Sequence, residues 1–147
     1  MNMNLHEFSK SKSWIFVESL ENWTEDKKNN FKYIGIDLKK LNNRGILSGD
    51  IFFTYISKIK KFSDCRKIIS SESESTPASF NYYKKYPHCI KTKIIKELDQ
   101  KDWLDLDVIK NLLEIFSTSS SPQLKLLNAP TEIHEFDRDM LIKFIKI

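Results

Sequence analysis

The stretch SWIFVESLENWTEDKKNN, residues 13–30, joins an aromatic segment to a charged one and decides how the chain begins to fold. The apolar run WIFV predicts a short buried strand, because β-branched and aromatic residues favour the interior of a sheet. Ser19 follows this strand and can cap a helix over roughly residues 20–29, with Asn22 at its third position. The predicted first unit is strand, cap and helix.

Length and composition limit the class of protein. The chain has 147 residues, 40% apolar and 30% charged, which is typical of one globular domain. No apolar run approaches the ~20 residues that span a bilayer. The N-terminus MNMNLHEFSK lacks the basic and apolar parts of a secretory signal. We expect a single domain, residues 1–147, located in the cytoplasm and not in a membrane.

The cysteines and histidines are widely separated in sequence. Cys65 and Cys89 lie in predicted strands, and no histidine stands at the spacing that a zinc site needs. We therefore expect buried, reduced thiols, no metal and no cofactor.

The net charge of +4 is unevenly distributed. Residues 1–70 hold 13 basic and 8 acidic side chains, whereas residues 102–147 hold 5 and 8. The basic residues could form a surface that faces phosphates. A solvated, lysine-rich face is the alternative. The basic residues that could face phosphates fall into two clusters. The first is Lys27, Lys28, Lys32, Lys39, Lys40 and Arg44, and the second is Lys58, Lys60, Lys61, Arg66 and Lys67.

Three further segments predict strands. IFFTYIS, residues 51–57, follows a turn at residues 48–50, CRKIIS begins at Cys65, and CIKTKII follows Pro87. The polar stretch SSESESTPAS, residues 70–79, is expected to be a mobile surface loop.

Helical periodicity returns in the last third of the chain. Apolar residues from about Leu106 to Phe116 recur at helical spacing, and the stretch STSSSP ends this predicted helix. A second helix from about Glu135 places four apolar residues on one stripe, which we expect to pack in the core: Met140, Leu141, Phe144 and Ile145.

The residue patterns of common enzymes are missing from the sequence. The three glycines stand singly, so there is no phosphate-binding glycine loop, and no serine lies in a nucleophile-elbow pattern. The acids of DWLDLD are explained by the preference for negative charge at a helix start.

Five segments occur in an order that resembles the EVE domain family, which belongs to the PUA-like superfamily and is related to YTH domains. They are SWIFVESLENW, IGI around Gly35, LSGDIFFTYIS, KFSDCRKIIS and KYPHCIKTKI, over roughly residues 13–95. LNAPTEIHEFDRDMLIKFI is similar to the family's C-terminal turn and helix. The resemblance implies an α+β fold with a twisted, mainly antiparallel, barrel-like sheet, packed helices and a surface pocket.

The chain departs from the family pattern at three places. Ile34 stands where an aromatic residue is usual, and Asp64 ends the segment that is usually Phe-Ala-Gly. His88 and Cys89 stand where the family has Tyr and Arg, so a guanidinium donor is lost. Either the ligand differs from the family's or the pocket has decayed.

The resemblance implies a non-enzymatic domain that binds DNA or RNA and accepts a modified base in its pocket. The alternative is a small-molecule or protein-interaction module on the same fold. A flipped base needs a ring to stack on and a side chain that donates and accepts hydrogen bonds. Trp14 and Trp23 have the alternative role of packing the core. The expected ligand-binding residues are Trp14, Asn22, Trp23, Gly35, Tyr55, Tyr86 and His88. The expected contacts to the nucleic-acid backbone are Lys58, Lys60, Lys61, Arg66 and Lys67.

Overall fold

The computed structural model describes residues 11–117 and 125–147. Strand β1 (Ser13–Glu18) leads into helix α1 (Leu20–Lys28), and strand β2 (Tyr33–Gly35) leads into helix α2 (Leu38–Arg44). Ser19 caps α1 in extended backbone geometry, as the sequence predicts. The first part of the chain therefore builds two strand-to-helix units.

The strands form one mixed sheet. Those that follow β1 and β2 are β3 (Ile51–Ile56), β4 (Lys61–Ser75), β5 (His88–Glu97), β6 (Leu104–Asp105) and β7 (Thr131–Ile133). The order in the sheet is β2-β5-β4-β3-β1-β7, and the short strand β6 pairs with β4. β1 and β3 are parallel, while the other pairs are antiparallel.

Two further helices complete the described elements. α3 (Leu106–Ile109) is short, and α4 (Glu135–Ile145) is the longest helix described. Single 3₁₀ turns occur at Gln100–Asp102, Lys110–Leu112 and Glu114–Phe116.

The central strands bury side chains on both faces of the sheet. In β1, Trp14 and Phe16 enter one apolar cluster while Ile15 enters the other. In β3, Phe52 and Phe53 divide between the same two clusters. Successive strand residues point to opposite faces, so the nearly continuous apolar run of these strands reflects a sheet covered on both sides.

The predicted fold class is confirmed. The structure is α+β, with a mainly antiparallel sheet packed against helices, and within the described residues the sheet is not closed into a barrel. Cys65 and Cys89 are buried free thiols, as predicted. In α4, Leu141 and Ile145 are fully buried and Met140 packs beside them.

One predicted loop is wrong in its first half. Residues 70–75 continue β4 and pair with β5, with Glu74 opposite Cys89 and Ser75 opposite His88. The side chains of residues 70–75 are all serine or glutamate and are half-buried or exposed, so this part of β4 carries no apolar face that would mark it as a strand. Pairing with β5, and not burial, makes it extended.

The predicted helix from about Leu106 to Phe116 is broken into pieces. Leu106, Ile109 and Phe116 are buried as the periodicity requires, but only four residues are α-helical before the 3₁₀ turns begin. Val108, which the predicted apolar stripe would bury, is 74% exposed. The buried positions therefore do not follow one continuous helix.

Two expectations concern segments outside the described residues. One concerns the N-terminal stretch, residues 1–10. The other concerns the stretch STSSSP after the predicted helix, because residues 118–124 are outside the described part of the chain. No helix in the described part of the chain is both long and apolar enough to cross a membrane.

Candidate nucleic-acid site

A surface cavity of about 230 Å³ lies where β1 passes into α1. We call it the Asn22 cavity. Its wall includes the end of β1 and the start of α1, and β2 and α2 lie opposite. Tyr82, Lys85 and Tyr86 from the β4–β5 loop and Ala129 and Pro130 from the segment before β7 complete it. The cavity therefore joins parts of the chain that are distant in sequence.

The Asn22 side chain is available to a ligand. The Oγ atom of Ser19 accepts a hydrogen bond from the backbone N–H of Asn22 at 3.1 Å, which fixes the first turn of α1. Asn22 is half-buried and lines the cavity. Within residues 11–117 and 125–147, its side-chain amide makes no hydrogen bond. An amide can both donate and accept at the edge of a heterocycle.

Gly35 allows the tyrosine wall of the cavity to approach the sheet. A Cβ atom at Gly35 would lie 2.7 Å from Cβ of Tyr86 and 3.1 Å from Cε1 of Tyr82. The two tyrosine rings meet edge-on with centroids 6.2 Å apart. Lys85 Nζ lies 5.7 Å from the centre of the Tyr86 ring. The half-buried ring of Tyr86 is thus a candidate stacking surface beside a cation.

The loop that carries these tyrosines is held against α1. The backbone N–H of Asn81 donates to Glu25 Oε1 at 2.7 Å. The hydroxyl of Tyr82 donates to Asp26 Oδ1 at 2.5 Å. These two contacts fix residues 81 and 82 beside the first helix, so the tyrosine wall of the cavity is attached to α1.

A buried ion cluster lies behind the cavity. Arg66 is 0% exposed and its guanidinium is surrounded by three carboxylates. Its Nη2 donates to Glu18 Oε1 at 3.0 Å, its Nη1 to Asp26 Oδ2 at 2.9 Å and its Nε to Asp64 Oδ1 at 3.0 Å. Glu18 also lines the cavity, so it connects the cluster to the candidate site.

Burial and mutual charge shift the pKa values in this cluster. Burial raises the pKa of Glu18 well above its usual value, and the nearby charge of Asp26 raises it further. Burial alone would lower the pKa of Arg66, but the three carboxylates more than offset this and raise it. Burial, followed by the charge of Asp26, raises the pKa of Tyr82. Arg66 is therefore charged and Tyr82 is neutral.

Basic residues of α2 hold the segment that borders the cavity near Pro130. Lys40 Nζ donates to the carbonyl oxygen of Ala129 at 2.9 Å. Arg44 Nη1 donates to the carbonyl oxygens of Asn128 and Pro130. These cations therefore have a structural role at the rim, where Lys40 also lines the cavity.

The two tryptophans of the opening stretch do not line this cavity. Trp14 is 2% exposed, and its indole N–H donates to Asp50 Oδ2 at 3.0 Å. Trp23 is 6% exposed and packs edge-on against Trp103 with ring centroids 4.9 Å apart. The expectation that Trp14 and Trp23 contact a ligand is corrected, because both rings belong to the core.

The remaining predicted ligand residues are divided among three cavities. Gly35 and Tyr86 join Asn22. Tyr55 lines a separate cavity with Lys58 and Lys60, and burial followed by two aspartates raises the pKa of Tyr55 to about 12. His88 lines a third cavity, which adjoins the first and shares Ile36, Asp37, Lys85 and Tyr86 with it. Tyr55 and His88 therefore do not line the Asn22 cavity but lie in cavities that adjoin it.

The predicted contacts to a nucleic-acid backbone include one clear correction. Arg66 has no exposed surface and is occupied by the three carboxylates, so it does not belong to a phosphate-facing surface. Lys58 and Lys60 are exposed, and Lys61 and Lys67 are partly exposed. Their contact with phosphates stays a prediction.

Sequence reasoning missed Glu18 and Tyr82 at the site. A glutamate that ends an apolar strand is a recognisable signal for Glu18, and the ring four residues before Tyr86 could have indicated Tyr82. Ala129 and Pro130 reach the cavity from the far end of the chain and have no such signal. Among the described residues, no three histidine, cysteine or acidic side chains are placed to hold a metal ion.

Comparison with known proteins gives structural matches. No family model and no curated protein matches the sequence. The Pho92 YTH domain in complex with m6A matches with a TM-score of 0.67 and 14% identity over 100% of this chain and 91% of that chain. The YTH domain of Zygosaccharomyces rouxii MRB1, in complex with N6-methyladenosine RNA, matches with a TM-score of 0.66 and 13% identity over 95% and 87%.

The fold is similar to that of YTH domains. A bacterial structure, Rpa0253 from Rhodopseudomonas palustris, matches with a TM-score of 0.61 and 17% identity over 92% of this chain and 93% of that chain. The predicted likeness to YTH domains is confirmed at the level of the fold, and no family model shows the EVE family. At these identities the likeness shows the fold alone.

Proposed function

We propose that this chain is a non-enzymatic reader that binds nucleic acid and accepts a modified base in the Asn22 cavity. The observation that carries the proposal is an amide without a partner in the described chain, beside a half-buried ring, in a cavity of a YTH-type fold. Two YTH-domain structures of this fold contain N6-methyladenosine or m6A, which makes a modified adenine in RNA the first ligand to test.

The cavity supplies the two contacts that a flipped base needs. Stacking of a base on an aromatic ring contributes roughly 1–3 kcal/mol, and Tyr86 is the ring that can provide it. Stacking tolerates every base, so selectivity has to come from hydrogen bonds and shape. The side-chain amide of Asn22 is the group that would bond the polar edge of the base.

The surface lysines supply the sequence-independent part of binding in this proposal. Lys40 and Lys85 line the Asn22 cavity, and Lys58 and Lys60 line the neighbouring Tyr55 cavity. The two cavities share Val17 and Ser57, so a backbone that leaves the first can reach the second. Attraction to phosphates would then make affinity fall with salt.

Membership of the EVE family is part of the same proposal. It is supported by the five segments in order and by a fold that matches YTH domains, to which the EVE family is related. We also propose that the 147 residues form one domain that acts in the cytoplasm, and that DNA is the second nucleic acid to test.

A small-molecule or protein-interaction module is the second candidate function. It is favoured by the burial of Trp14 and Trp23, whose indole N–H groups bond to Asp50 and Asp64. These rings cannot stack on a base without leaving the core. In this case the Asn22 cavity would bind a planar small molecule with no dependence on phosphates.

The test is binding of the purified protein to matched oligonucleotides with and without N6-methyladenosine, over a series of salt concentrations. The proposal predicts tighter binding to the modified strand and an affinity that falls with salt. The variant with both Lys60 and Lys61 changed to Glu should bind both strands more weakly and with a smaller salt dependence. Equal, negligible binding of every RNA and DNA strand would reject the proposal in favour of the second candidate.

A further inference from the structure

The C-terminal ends of β1 and β3 lie side by side at one edge of the sheet. The two strands are parallel, with Val17 opposite Tyr55. The backbone N–H of Ser57 donates to the carbonyl oxygen of Glu18 at 2.9 Å and joins the two ends. Val17 and Ser57 line both the Asn22 cavity and the Tyr55 cavity. The two cavities therefore meet at these strand ends.

The Tyr55 cavity has an apolar interior that is open to a ligand. Its volume is about 270 Å³. Val17, Leu126 and Leu127 supply its aliphatic lining. Leu126 is buried, but Leu127 is 76% exposed. An exposed leucine beside an apolar cavity is surface that a partner can cover.

The hydroxyl of Tyr55 is an unused hydrogen-bond donor at this cavity. Tyr55 is 3% exposed and its ring packs edge-on against Phe62, yet its hydroxyl makes no hydrogen bond within residues 11–117 and 125–147. In the same part of the chain, no enclosed side-chain oxygen or nitrogen lacks a partner. The small exposed part of Tyr55 therefore includes the hydroxyl oxygen. Burial, followed by Asp107 and Asp105, raises the pKa of Tyr55 to about 12, so the hydroxyl keeps its proton at neutral pH.

Two exposed lysines of the turn between β3 and β4 line the same cavity. They are Lys58 and Lys60, and among the described side chains neither has a carboxylate partner. Their φ angles are +69° and +57°, in a left-handed conformation that glycine and asparagine adopt more easily than lysine. Strained backbone of this kind clusters at ligand-binding sites. The two charges suit a phosphate group beside the cavity.

These features fit the base of a nucleotide in a strand. A base has flat faces, polar atoms on its edge and a link to phosphate. Leu127 can cover a face, the Tyr55 hydroxyl can bond an acceptor on the edge, and the two lysines can attract the phosphate. A base that is flipped into the Asn22 cavity no longer stacks on its neighbour. The face of the neighbouring base is then free to enter the adjoining cavity.

We propose that the Tyr55 cavity accepts the base of the nucleotide next to the modified one, with the Tyr55 hydroxyl donating a hydrogen bond to an acceptor on the edge of that base. This inference rests on the proposed function, because it assigns a second nucleotide of the same strand. The recognised ligand is a pair of adjacent nucleotides splayed around the ends of β1 and β3, and not an isolated modified base.

Matched RNA oligonucleotides that carry one N6-methyladenosine test the second site. In one strand both neighbouring nucleotides are intact, in another the 5′ neighbour is abasic, and in a third the 3′ neighbour is abasic. Removing the base that enters the Tyr55 cavity should weaken binding about tenfold, because the contacts of one base are lost. Equal affinity for all three strands overturns the proposal.

Two variants assign the lost affinity to the Tyr55 cavity. Leu127→Ser changes an exposed side chain, and Tyr55→Phe keeps the ring and removes a hydroxyl without a partner in the described chain, so both should fold. Each should weaken binding of the intact strand about three- to tenfold but should not weaken binding of the strand that already lacks the base. The control Leu47→Ser is also at an exposed leucine, which lines none of the three cavities, and should bind as the wild type does. Normal binding of the intact strand by both variants overturns the proposal.

The second base site and the proposed function fail in different ways. If no modified strand binds, both are rejected. If the modified strand binds more tightly than the unmodified one, but neither the abasic changes nor the two variants alter its affinity, the reader stands and the second base site is rejected.

Discussion

Trp23 Nε1 donates a hydrogen bond to Asp64 Oδ2 at 2.8 Å, across 41 positions of sequence. Asp64 occupies the place where the EVE pattern has glycine, and it also binds Arg66. The departure at Asp64 and the burial of Trp23 therefore belong to one arrangement, in which the ring is fastened to the sheet. Asn22, the residue before Trp23 in α1, instead lines the cavity.

Neighbouring substitutions on α1 should separate stability from binding. Trp23→Phe leaves Asp64 without the indole donor and should lower the free energy of unfolding by about 1–3 kcal/mol. Asn22→Ala should change it by less than about 0.5 kcal/mol but should lose selectivity for the modified base. Urea unfolding measures the free energy of unfolding, and oligonucleotide binding measures the selectivity for the modified base. A large loss of stability in Asn22→Ala with normal binding would make Asn22 a structural residue.

Gly35 should tolerate no side chain. In Gly35→Ala the new Cβ would lie 2.7 Å from Cβ of Tyr86, so the tyrosine wall has to move. We expect a loss of about 1–3 kcal/mol in unfolding free energy and weaker ligand binding. The control is Gly49→Ala, where φ is +92° and no atom lies within 4 Å of the added Cβ. This variant should lose stability through backbone strain but bind normally when folded. Normal binding by Gly35→Ala would remove the tyrosine wall from the site.

Arg66 should be essential to the fold and not to phosphate binding. Arg66→Met leaves three carboxylates without their common cation and should cost about 3–5 kcal/mol of unfolding free energy. Lys67→Met, at the adjacent and partly exposed position, should cost less than about 0.5 kcal/mol. Denaturant unfolding distinguishes them. Equal stability of the two variants would contradict the cluster described around Arg66.

Stability should depend on pH through Glu18. Burial raises the pKa of Glu18 in the folded state, so between its unfolded value of about 4.3 and its folded value the folded state binds more protons. The contribution is complete below the unfolded value and is lost as the pH rises through the folded one. In this window the wild type should lose about 1.4 kcal/mol per pH unit relative to Glu18→Gln. A difference between the two proteins that does not change with pH would contradict the shift.

The sequence predicts the elements whose signals are local. The apolar run of β1, the cap at Ser19 and the start of α4 at Glu135 all lie where the pattern places them. Local signals fail where pairing replaces burial, as in residues 70–75 of β4, whose side chains are half-buried or exposed. They also fail between Leu106 and Phe116, where the same buried positions are reached by short turns.

The site was predicted in part for a related reason. Of the expected ligand residues, Asn22, Gly35 and Tyr86 line one cavity, and their contact with a ligand stays a prediction. In the sequence, Arg66 looks like the lysines beside it. Its partners Asp26 and Glu18 lie 40 and 48 positions away, so no local pattern marks Arg66 as buried. The burial of Trp23 likewise depends on Asp64, and a linear pattern does not show such distant pairs.

The most direct test of the proposed reader follows the Asn22 side-chain amide by NMR while matched oligonucleotides, with and without N6-methyladenosine, are added. If the base enters the Asn22 cavity, the Asn22 amide signals and those of Tyr86 should shift with the modified strand and far less with the unmodified one. Signal changes confined to the lysine surface, with the Asn22 amide unchanged by either strand, would show that the cavity does not bind the modified base.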